Sequence, residues 1–518
     1  MKKAFGRGAV VLGIVAGALV AAPSAGAEIG SALGVPCAEQ GDGVRFCGSS
    51  SPRSTTPAWD GTPIDVNIAF PPEPPSGPDG NFPLVMMFHG YGGGKLGFAS
   101  MDRWLDRGYA TFSMTARGFR ESCGSAASRT AGGAACDDGY VRLIDNRFEV
   151  RDAQEFAGQL ADEGAGLIDP QRIGAIGGSY GGGMSMALGA LKNRKVLPDG
   201  SVVPWTSPAG KPMQIAATAP NIPWTDLAYS LVPNGSTLDY VADAPYRGPV
   251  GVMKQSLVEG LYLSGLSAPG FYAPEGTDPS ADLIGWRNRL NQGEPYGADA
   301  QGIVDEITRN HSSYYIDPSI PPAPMLMSSG FTDDLFPVDE TIRYYNRTKT
   351  TYPDADLALL FGDFGHPRSV NDKTDVRDDL RAREEAWFDH YIKGEGAEPE
   401  QGATSYTQTC PSDAPSGGPY SAPSWAASAP GEVRFRDEGE QTIAADSTTG
   451  GQFNPVGSDA CTTAPADDRA GAAVYRLDAA PAGGYTLLGA GTVIARYEVG
   501  SDTSQIAARL LDVAPDGT

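Results

Sequence analysis

The sequence predicts an α/β fold in which a parallel β-sheet carries helices, is interrupted by a helical insertion and is followed by an all-β domain. Apolar, strand-like runs alternate with helix-like segments from about residue 60 to about residue 192, which is the pattern of a parallel sheet. From about 225 to about 320 the pattern changes to helical stretches between Pro- and Gly-rich loops. Beyond about 400 the composition shifts to Pro, Ser, Thr and Gly with short alternating runs, as in a β-sandwich.

The first residues have the pattern of a secretory signal peptide. Basic residues at the start precede an apolar run at Ala9–Ala22, and Ala25–Ala27 offers a small-residue cleavage site before Glu28. The apolar run is too short to span a bilayer. We therefore expect residues 1–27 to be removed and the mature chain to be secreted, without membrane association.

Charge and cysteine content describe the exported chain further. Removal of a leader with three basic residues changes the formal net charge from −24 to −24 − 3 = −27, and this charge disfavours nucleic acid as a partner.

Six cysteines in an oxidising compartment predict disulfides, and we favour local pairs because each pair lies within one predicted domain. No cysteine shows C-x-x-C spacing, so we expect no metal and no cofactor. The favoured pairs are Cys37 with Cys47, Cys123 with Cys136, and Cys410 with Cys461.

The first part of the α/β core is predicted at residues 57–224, after a polar N-terminal arm at residues 28–56. Alternating or continuous apolar runs predict its strands, and apolar residues at helical spacing predict its helices. The elements that precede the serine motif are a strand at 60–70, a buried strand at Leu84–Phe88, a short helix at Met101–Arg107, a strand at Tyr109–Met114 and a helix at Phe148–Leu160.

A G-x-S-x-G motif follows the next strand and opens the next helix. The motif consists of Gly177, Ser179 and Gly181, after the small, apolar run Arg172–Gly178 and before helix-forming residues up to Leu191. A strand that turns sharply into a helix needs small residues at the turn, and a serine at its apex is exposed. This context is that of the nucleophile elbow of an α/β-hydrolase.

The core is then interrupted and resumed. Residues 225–322 are predicted as an inserted helical cap, and residues 323–398 as the second part of the core. Strands are expected at Pro324–Ser329 and Leu357–Phe361, followed by an amphipathic helix at Val376–Lys393 that Gly394 ends.

Residues 399–518 are predicted as a C-terminal β-sandwich. Glu432–Arg436 and Thr492–Val499 alternate apolar and polar residues as strands do. The chain ends at Ala514–Thr518, a turn signal with no strand after it. We therefore expect this domain to be incomplete.

Four histidines are candidates for the base that a serine nucleophile needs. His390 lies within the long helix, and His311 precedes the strand that should carry the acid. His89 follows an early strand, where this fold builds the oxyanion hole, and we expect it to shape that loop. His366 follows the strand Leu357–Phe361, which is where an α/β-hydrolase carries its base. Elimination therefore selects His366.

The acid should follow the preceding strand, where two aspartates are adjacent. Asp333 has the G-x-x-D spacing and is preferred, while Asp334 stays open; Asp363 is interpreted as a turn residue. The resulting chain order Ser179, Asp333, His366 is that of α/β-hydrolases.

The oxyanion hole should combine the backbone N–H of Tyr180 with a donor from the Gly90–Tyr91 turn. These two positions are the residue after the nucleophile and the first Gly-rich turn of the predicted sheet.

The same residues resemble the X-Pro dipeptidyl-peptidase and cocaine-esterase-like acyl hydrolases. The resemblance implies a C-terminal jelly-roll domain and a tyrosine hydroxyl in the oxyanion hole, at the position of Tyr91. Arg120 departs from the pattern, because it replaces a glycine. The matching segments are Asp60–Gly61, Arg117–Gly124, Gly178–Gly182, Gly330–Asp333, Trp387–Gly394 and Arg509–Gly517.

The expected function is that of a secreted serine hydrolase that cleaves an ester or amide bond through an acyl-enzyme. An acyl esterase or an X-Pro dipeptidyl-peptidase fits best, with a small-molecule ester or a peptide as substrate, and we prefer the ester. One alternative is another serine exo- or endopeptidase. A different class would be a non-catalytic carbohydrate- or peptide-binding protein built on a hydrolase fold.

Overall fold

The computed structural model describes residue 1 and residues 29–49, 54–232, 251–293, 295–366, 372–436, 439–443, 461, 463, 471–489, 493–500, 508 and 510–515. The predicted signal peptide therefore lies outside the described residues, except for Met1.

The strands of the described chain have the following bounds: β1 (Ser31–Ala32), β2 (Val35–Gly41), β3 (Val44–Cys47), β4 (Thr55–Pro57), β5 (Pro63–Phe70), β6 (Phe82–Phe88), β7 (Ala110–Met114), β8 (Ile168–Gly178), β9 (Arg194–Val196), β10 (Val202–Pro204), β11 (Ile215–Asn221), β12 (Met325–Gly330), β13 (Leu357–Gly362), β14 (Gly402–Thr407) and β15 (Gly417–Ala422).

The α-helices follow the same order, and a wider helical turn at Asp389–Lys393 continues the tenth: α1 (Asp102–Leu105), α2 (Ala126–Gly132), α3 (Glu149–Asp162), α4 (Tyr180–Leu191), α5 (Leu227–Leu231), α6 (Gln255–Ser267), α7 (Leu283–Asn291), α8 (Ala298–Asn310), α9 (Asp339–Thr351), α10 (Thr374–Phe388) and α11 (Trp425–Ser428).

One large sheet organises the molecule, in the order β1-β2-β3-β5-β7-β6-β8-β11-β12-β13-β14-β15, with β4 on β5. Neighbours from β7 to β14 are parallel, whereas β1 to β5 and β15 pair antiparallel. The sheet is thus mixed, and the parallel arrangement expected from about residue 60 to about residue 192 is wrong at β5, which pairs antiparallel with β7. Further toward the first edge, a tight turn at Asp42–Gly43, where both residues have positive φ, joins β2 to β3, and a two-residue turn can join only antiparallel strands.

Helices cover both faces of the sheet, so the central strands are buried on both sides. On one face, Trp104 of α1 and Trp387 and Phe388 of α10 pack against apolar residues of the strands. On the other face, α3 and α4 contribute Phe156 and Leu188 to the larger core. β6 is apolar throughout its length and completely buried, as expected of a central parallel strand.

The segment between β11 and β12 is helical where it is described. It contains α5, α6, α7 and α8, and the predicted cap at 225–322 covers the same segment. Residues 233–250 and residue 294 of that segment lie outside the described residues. Gly394 ends the last core helix in the left-handed conformation, with φ +73°, as its position in the sequence predicts.

The start of the predicted C-terminal domain belongs to the central sheet. β14 pairs in parallel with β13, and β15 pairs with β14, so residues 402–422 extend the sheet instead of beginning a sandwich. The predicted strand at Glu432–Arg436 and the described part of Thr492–Val499 form no strand, because no described segment supplies hydrogen-bonding partners. The sandwich itself stays a prediction.

The three disulfides form in the pairs that the sequence favours: Cys37 with Cys47, Cys123 with Cys136, and Cys410 with Cys461. The first joins two directly opposed residues of β2 and β3. None of the helices in the described ranges combines the length and the apolar character that a membrane crossing requires.

Candidate active site

Ser179 lies at the sharp turn between β8 and α4, at the carboxyl edge of the sheet. Its φ of +56° and ψ of −113° lie outside the usual regions for an L residue, so the surrounding structure must hold the turn. The Ser179 N–H donates to the carbonyl oxygen of Asn221, at the end of the neighbouring β11, at 2.9 Å. The elbow predicted from the motif is therefore present, with the serine at its apex.

The motif glycines are explained by close approach of the next strand. A Cβ on Gly181 would lie 2.3 Å from the carbonyl oxygen of Phe88, the last residue of β6. A Cβ on Gly177 would lie 2.7 Å from the same oxygen. No side chain fits at either position while β6 stays where it is.

The structure brings together the three residues that the sequence analysis selected from distant parts of the chain. His366 Nε2 lies 2.8 Å from Ser179 Oγ. On the other side of the ring, His366 Nδ1 lies 2.8 Å from Asp333 Oδ2 and 3.0 Å from Oδ1. Each residue follows a different parallel strand, and the ends of β8, β12 and β13 meet at one edge of the sheet.

The Asp333 carboxylate is fixed by its own loop. Its Oδ1 accepts the backbone N–H groups of Leu335 and Phe336 at 3.0 and 3.1 Å, and its Oδ2 accepts that of His366 at 3.1 Å. Its side chain is 0% exposed, while that of His366 is 16% exposed and so reaches the surface. The neighbouring Asp334 is exposed, and the Asp333 carboxylate is the one that lies beside the His366 ring.

This arrangement has a defined chemical capacity. A carboxylate oxygen only accepts, so His366 Nδ1 carries the proton and Nε2 is left to accept the Ser179 hydroxyl proton. A base placed in this way can take a proton from a serine as its oxygen attacks a carbonyl carbon. Asp363, the remoter candidate acid, is buried and accepts instead from the Gln408 amide at 2.9 Å.

The backbone N–H of Tyr180 is the first of α4, and such groups have no acceptor within their helix. It therefore remains the best-placed donor for an oxyanion next to Ser179. The second expected donor differs: the Tyr91 hydroxyl lies 2.7 Å from the hydroxyl of Tyr272, which itself donates to the Tyr262 carbonyl at 3.1 Å. Tyr91 thus gives its proton to the insertion in this conformation, although its ring lies 5.5 Å from that of Tyr180.

The other described histidines have local partners. His89 is buried, its Nε2 accepts the Ala116 N–H at 2.9 Å, and burial lowers its pKa to about 4, so it is neutral and holds the Gly-rich loop. His390 packs against the ring of Tyr391 in the turn after α10. His311 is buried rather than directed at the cleft, and its Nδ1 donates to the Leu143 carbonyl at 3.1 Å.

His311 forms part of a possible set of metal ligands with Asp145 and Glu306. Its Nε2 lies 3.9 Å from Asp145 and 3.8 Å from Glu306. However, Arg147 Nη2 lies 2.6 Å from Asp145 Oδ2 and 2.5 Å from Glu306 Oε1. The guanidinium thus takes the position between the two carboxylates that a cation would need. Burial alone would lower the pKa of His311, but the two carboxylates raise it above its ordinary value. The cluster is therefore explained as a salt bridge.

Three further residues contact the site, and no sequence motif marks them. Glu149 accepts a hydrogen bond from the Tyr180 hydroxyl, Tyr272 bonds Tyr91, and Lys254 donates to the Asp334 carbonyl at 2.8 Å. Glu149 is the second residue of the predicted helix Phe148–Leu160, and acidic residues are common in the first turn of a helix without any function. The other two lie in the insertion, where no motif marks a contact with the core.

Comparison with known proteins gives a partial match. Residues 60–219, less than a third of the chain, match the family model described as Acetyl xylan esterase (AXE1). The comparison with curated proteins finds no match.

Solved structures with a similar course of the chain include an acetyl xylan esterase from Paenibacillus sp. R4, at 13% identity over 69% of this chain and 88% of that one, with a TM-score of 0.39. An esterase from Pyrococcus furiosus has 14% identity over 66% of this chain and 90% of its own, with a TM-score of 0.36. Pyrococcus horikoshii acylaminoacyl peptidase has 15% identity over 65% and 41%, with a TM-score of 0.38.

Proposed function

We propose that this protein is a secreted serine hydrolase with Ser179 as nucleophile, His366 as base and Asp333 as the acid that orients it. The observation that carries the proposal is the continuous series of hydrogen bonds from Ser179 Oγ through the imidazole to the Asp333 carboxylate. The match of residues 60–219 to an esterase family supports the same assignment.

The reaction proceeds in two halves. Ser179 Oγ attacks the carbonyl carbon as its proton moves to His366 Nε2, and the developing oxyanion accepts a hydrogen bond from the Tyr180 N–H. His366 then donates the proton to the leaving oxygen or nitrogen, which leaves an acyl-enzyme. Water, deprotonated by His366, attacks this ester, and the carboxylic acid is released as Ser179 regains its proton.

The proposed substrate is an ester of a short acyl group, with an acetylated carbohydrate as the first candidate. The support for this choice is the description of the matched family as an acetyl xylan esterase. The insertion between β11 and β12 is proposed to cap the site, because Tyr272 contacts Tyr91 and Lys254 contacts the loop of Asp333.

The proposal of secretion rests on the leader pattern and on three disulfides, which persist in oxidising compartments. Expression of the gene with its own leader should yield protein in the culture medium whose first residue is Glu28. Retention of Met1 in exported material would contradict the proposed cleavage.

A substrate panel tests the activity. The purified protein is assayed with p-nitrophenyl acetate, longer p-nitrophenyl esters, acetylated xylan and X-Pro p-nitroanilides. We expect hydrolysis of the acetyl esters, and loss of activity in Ser179→Ala by about a millionfold.

The panel also separates the alternatives. A strong preference for the anilides would replace the esterase proposal by a dipeptidyl-peptidase. Equal hydrolysis by wild type and Ser179→Ala would show that the nucleophile lies elsewhere, and no hydrolysis of any substrate would favour a binding protein.

A further inference from the structure

A buried carboxylate is hydrogen-bonded to the side chain of the residue that follows the nucleophile. The Tyr180 hydroxyl donates to Glu149 Oε1 at 2.8 Å, and both residues are buried, Glu149 completely. The second oxygen, Oε2, accepts the backbone N–H of Asp145 at 3.1 Å. Burying a carboxylate costs free energy, so its retention beside the elbow calls for an explanation.

The same contacts hold an unusual turn. Leu143 and Ile144 have φ values of +52° and +57°, and a positive φ is unfavourable for a β-branched residue such as Ile144. The Ile144 N–H donates to the Tyr180 hydroxyl oxygen at 3.2 Å. Tyr180 and Glu149 thus hold the turn by accepting its backbone N–H groups. The Tyr180 hydroxyl is itself bonded on both sides, because it accepts from the Ile144 N–H and donates to Glu149.

The turn also contacts the insertion. The Leu143 carbonyl accepts from His311 Nδ1 at 3.1 Å, and the Asn146 N–H donates to the Asn310 carbonyl at 2.9 Å. Asn310 is the last residue of α8, and His311 follows it. One short segment of the core therefore joins the side chain of Tyr180 to the end of an insertion helix.

We propose that Glu149 is a positioning residue for acyl transfer: through the Tyr180 hydroxyl it fixes the backbone N–H that receives the oxyanion. This inference rests on the proposed function, because it assumes that Ser179 is the nucleophile. Tyr180 is held at its hydroxyl and packed against Tyr91 and Trp224, so it cannot be displaced without breaking the bond to Glu149. Its N–H is therefore held in place before the charge develops, which is what transition-state stabilisation requires.

The first pair of variants separates the carboxylate from the hydroxyl. Glu149→Gln has a single acceptor oxygen and cannot serve both Tyr180 and Asp145, while Tyr180→Phe keeps the backbone N–H and loses the hydroxyl. We expect each to lower kcat for p-nitrophenyl acetate by about 10- to 100-fold with KM changed by less than about twofold, because a displaced donor acts on the transition state.

The double variant tests whether Glu149 acts through Tyr180. In the Tyr180→Phe background the additional change Glu149→Gln should lower kcat by less than about twofold, since the link is already broken. If the effects of the two single substitutions on kcat multiply fully in the double variant, the positioning role of Glu149 is overturned.

A matched control distinguishes positioning from general stability. Glu163 directly follows the other end of the same helix, α3, and accepts the Leu33 N–H at 2.9 and 3.0 Å. Glu163→Gln should lower the melting temperature and leave kcat unchanged. Each variant is also labelled with a fluorophosphonate at equal folded concentration.

The outcomes separate this inference from the proposed function. A wild type that labels at Ser179 and hydrolyses the ester, with Glu149→Gln and Tyr180→Phe at wild-type kcat, overturns the inference alone. A wild type that neither labels nor hydrolyses overturns both. If kcat falls equally in Glu149→Gln and in the control Glu163→Gln, Glu149 has only a structural role and the inference is overturned.

Discussion

Two adjacent aspartates differ completely in their surroundings. Asp333 is buried and bonded to the imidazole of His366 and to three backbone N–H groups, whereas Asp334 is exposed. At the scale of single residues, the role of a carboxylate depends on whether the loop directs its side chain toward the imidazole or toward solvent. Sequence spacing favoured Asp333, and the hydrogen bonds supply the physical reason.

The contrast predicts different effects of the same substitution. Asp333→Asn should lower kcat by about 10⁴-fold, because an amide can hold the imidazole with its proton on the wrong nitrogen. Asp334→Asn should keep kcat within about twofold, and steady-state kinetics on p-nitrophenyl acetate measure both. Equal losses in the two variants would contradict the assignment of the acid.

Glu149 also makes stability depend on pH. Burial raises its pKa to about 7 from an ordinary 4.5, against the opposing effects of the Tyr180 hydroxyl and the nearby Arg117. The unfolded chain loses this proton at a lower pH than the folded one, so the free energy of unfolding falls as the pH rises from about 4.5 to about 7.

The contribution is about 3 kcal/mol, at about 1.4 kcal/mol for each unit of pKa difference. Glu149→Gln should therefore lose less stability than wild type between pH 5 and pH 7.5 in urea denaturation. Parallel curves of unfolding free energy against pH for the two proteins would show that Glu149 ionises at the same pH in the folded and the unfolded chain.

The strand-to-helix elbow is the element that the other parts of the site depend on. Its glycines differ in how closely other atoms approach them: a Cβ on Gly181 would lie 2.3 Å from the Phe88 carbonyl oxygen, while one on Gly178 would lie 4.0 Å from its nearest neighbour, the Asn221 oxygen. The elbow thus tolerates a methyl group at one position and not at the other.

Alanine substitution tests this difference. Gly181→Ala should lower the free energy of unfolding by about 1–3 kcal/mol, because β6 must move, and should also lower kcat as Ser179 shifts. Gly178→Ala should leave both close to wild type. Chemical denaturation and ester hydrolysis measure the two effects, and a tolerated Gly181→Ala would contradict the packing argument.

At the same scale, the sequence predicted core strands well where they are apolar on both faces. β6, β7, β8, β12 and β13 lie within a few residues of their expected bounds, since buried parallel strands leave a continuous apolar run. Helix α9 was missed, because its buried residues include Thr341, Arg343 and Thr348, which weaken the apolar pattern. The antiparallel pairing of β2 with β3 depends on the two-residue turn Asp42–Gly43, which the sequence contains but from which no hairpin was predicted.

Across the whole molecule, the site depends on contacts that no local pattern encodes. The three residues of the candidate site could be selected from the sequence because the chain has only four histidines, and because Ser179, Asp333 and His366 each follow a predicted strand. Glu149, Tyr272 and Lys254 could not, since their partners are 31, 181 and 80 residues away and depend on how the insertion packs. The all-β domain rested on composition, on two short alternating runs and on the family resemblance, and none of these assigns strands to a sheet.

The insertion should influence catalysis through the acid loop, which follows β12 and carries Asp333 and Asp334. Lys254 Nζ donates to the Asp334 carbonyl at 2.8 Å, and Lys254→Met removes this support from the loop that holds Asp333. We expect kcat to fall by about 3- to 10-fold, which is about 0.7–1.4 kcal/mol in the barrier. This is less than the roughly 1.5–3 kcal/mol that a hydrogen bond from a charged group contributes to stability, because Lys254 contacts the loop and not the reacting atoms.

A second lysine provides the control for this experiment. Lys349 Nζ donates to the Ala355 and Pro353 carbonyls at 2.6 and 3.2 Å, beyond the end of α9. Lys349→Met should affect the melting temperature without changing kcat. A larger loss of kcat in Lys349→Met than in Lys254→Met would argue against the link between insertion and acid loop.

The most direct test of the central claim is the site of covalent labelling by a fluorophosphonate, identified by peptide mass spectrometry. We predict one adduct per chain on the peptide that contains Ser179, with no adduct in Ser179→Ala and strongly slowed labelling in His366→Ala. An adduct on another serine, or undiminished labelling of Ser179→Ala, would contradict the account.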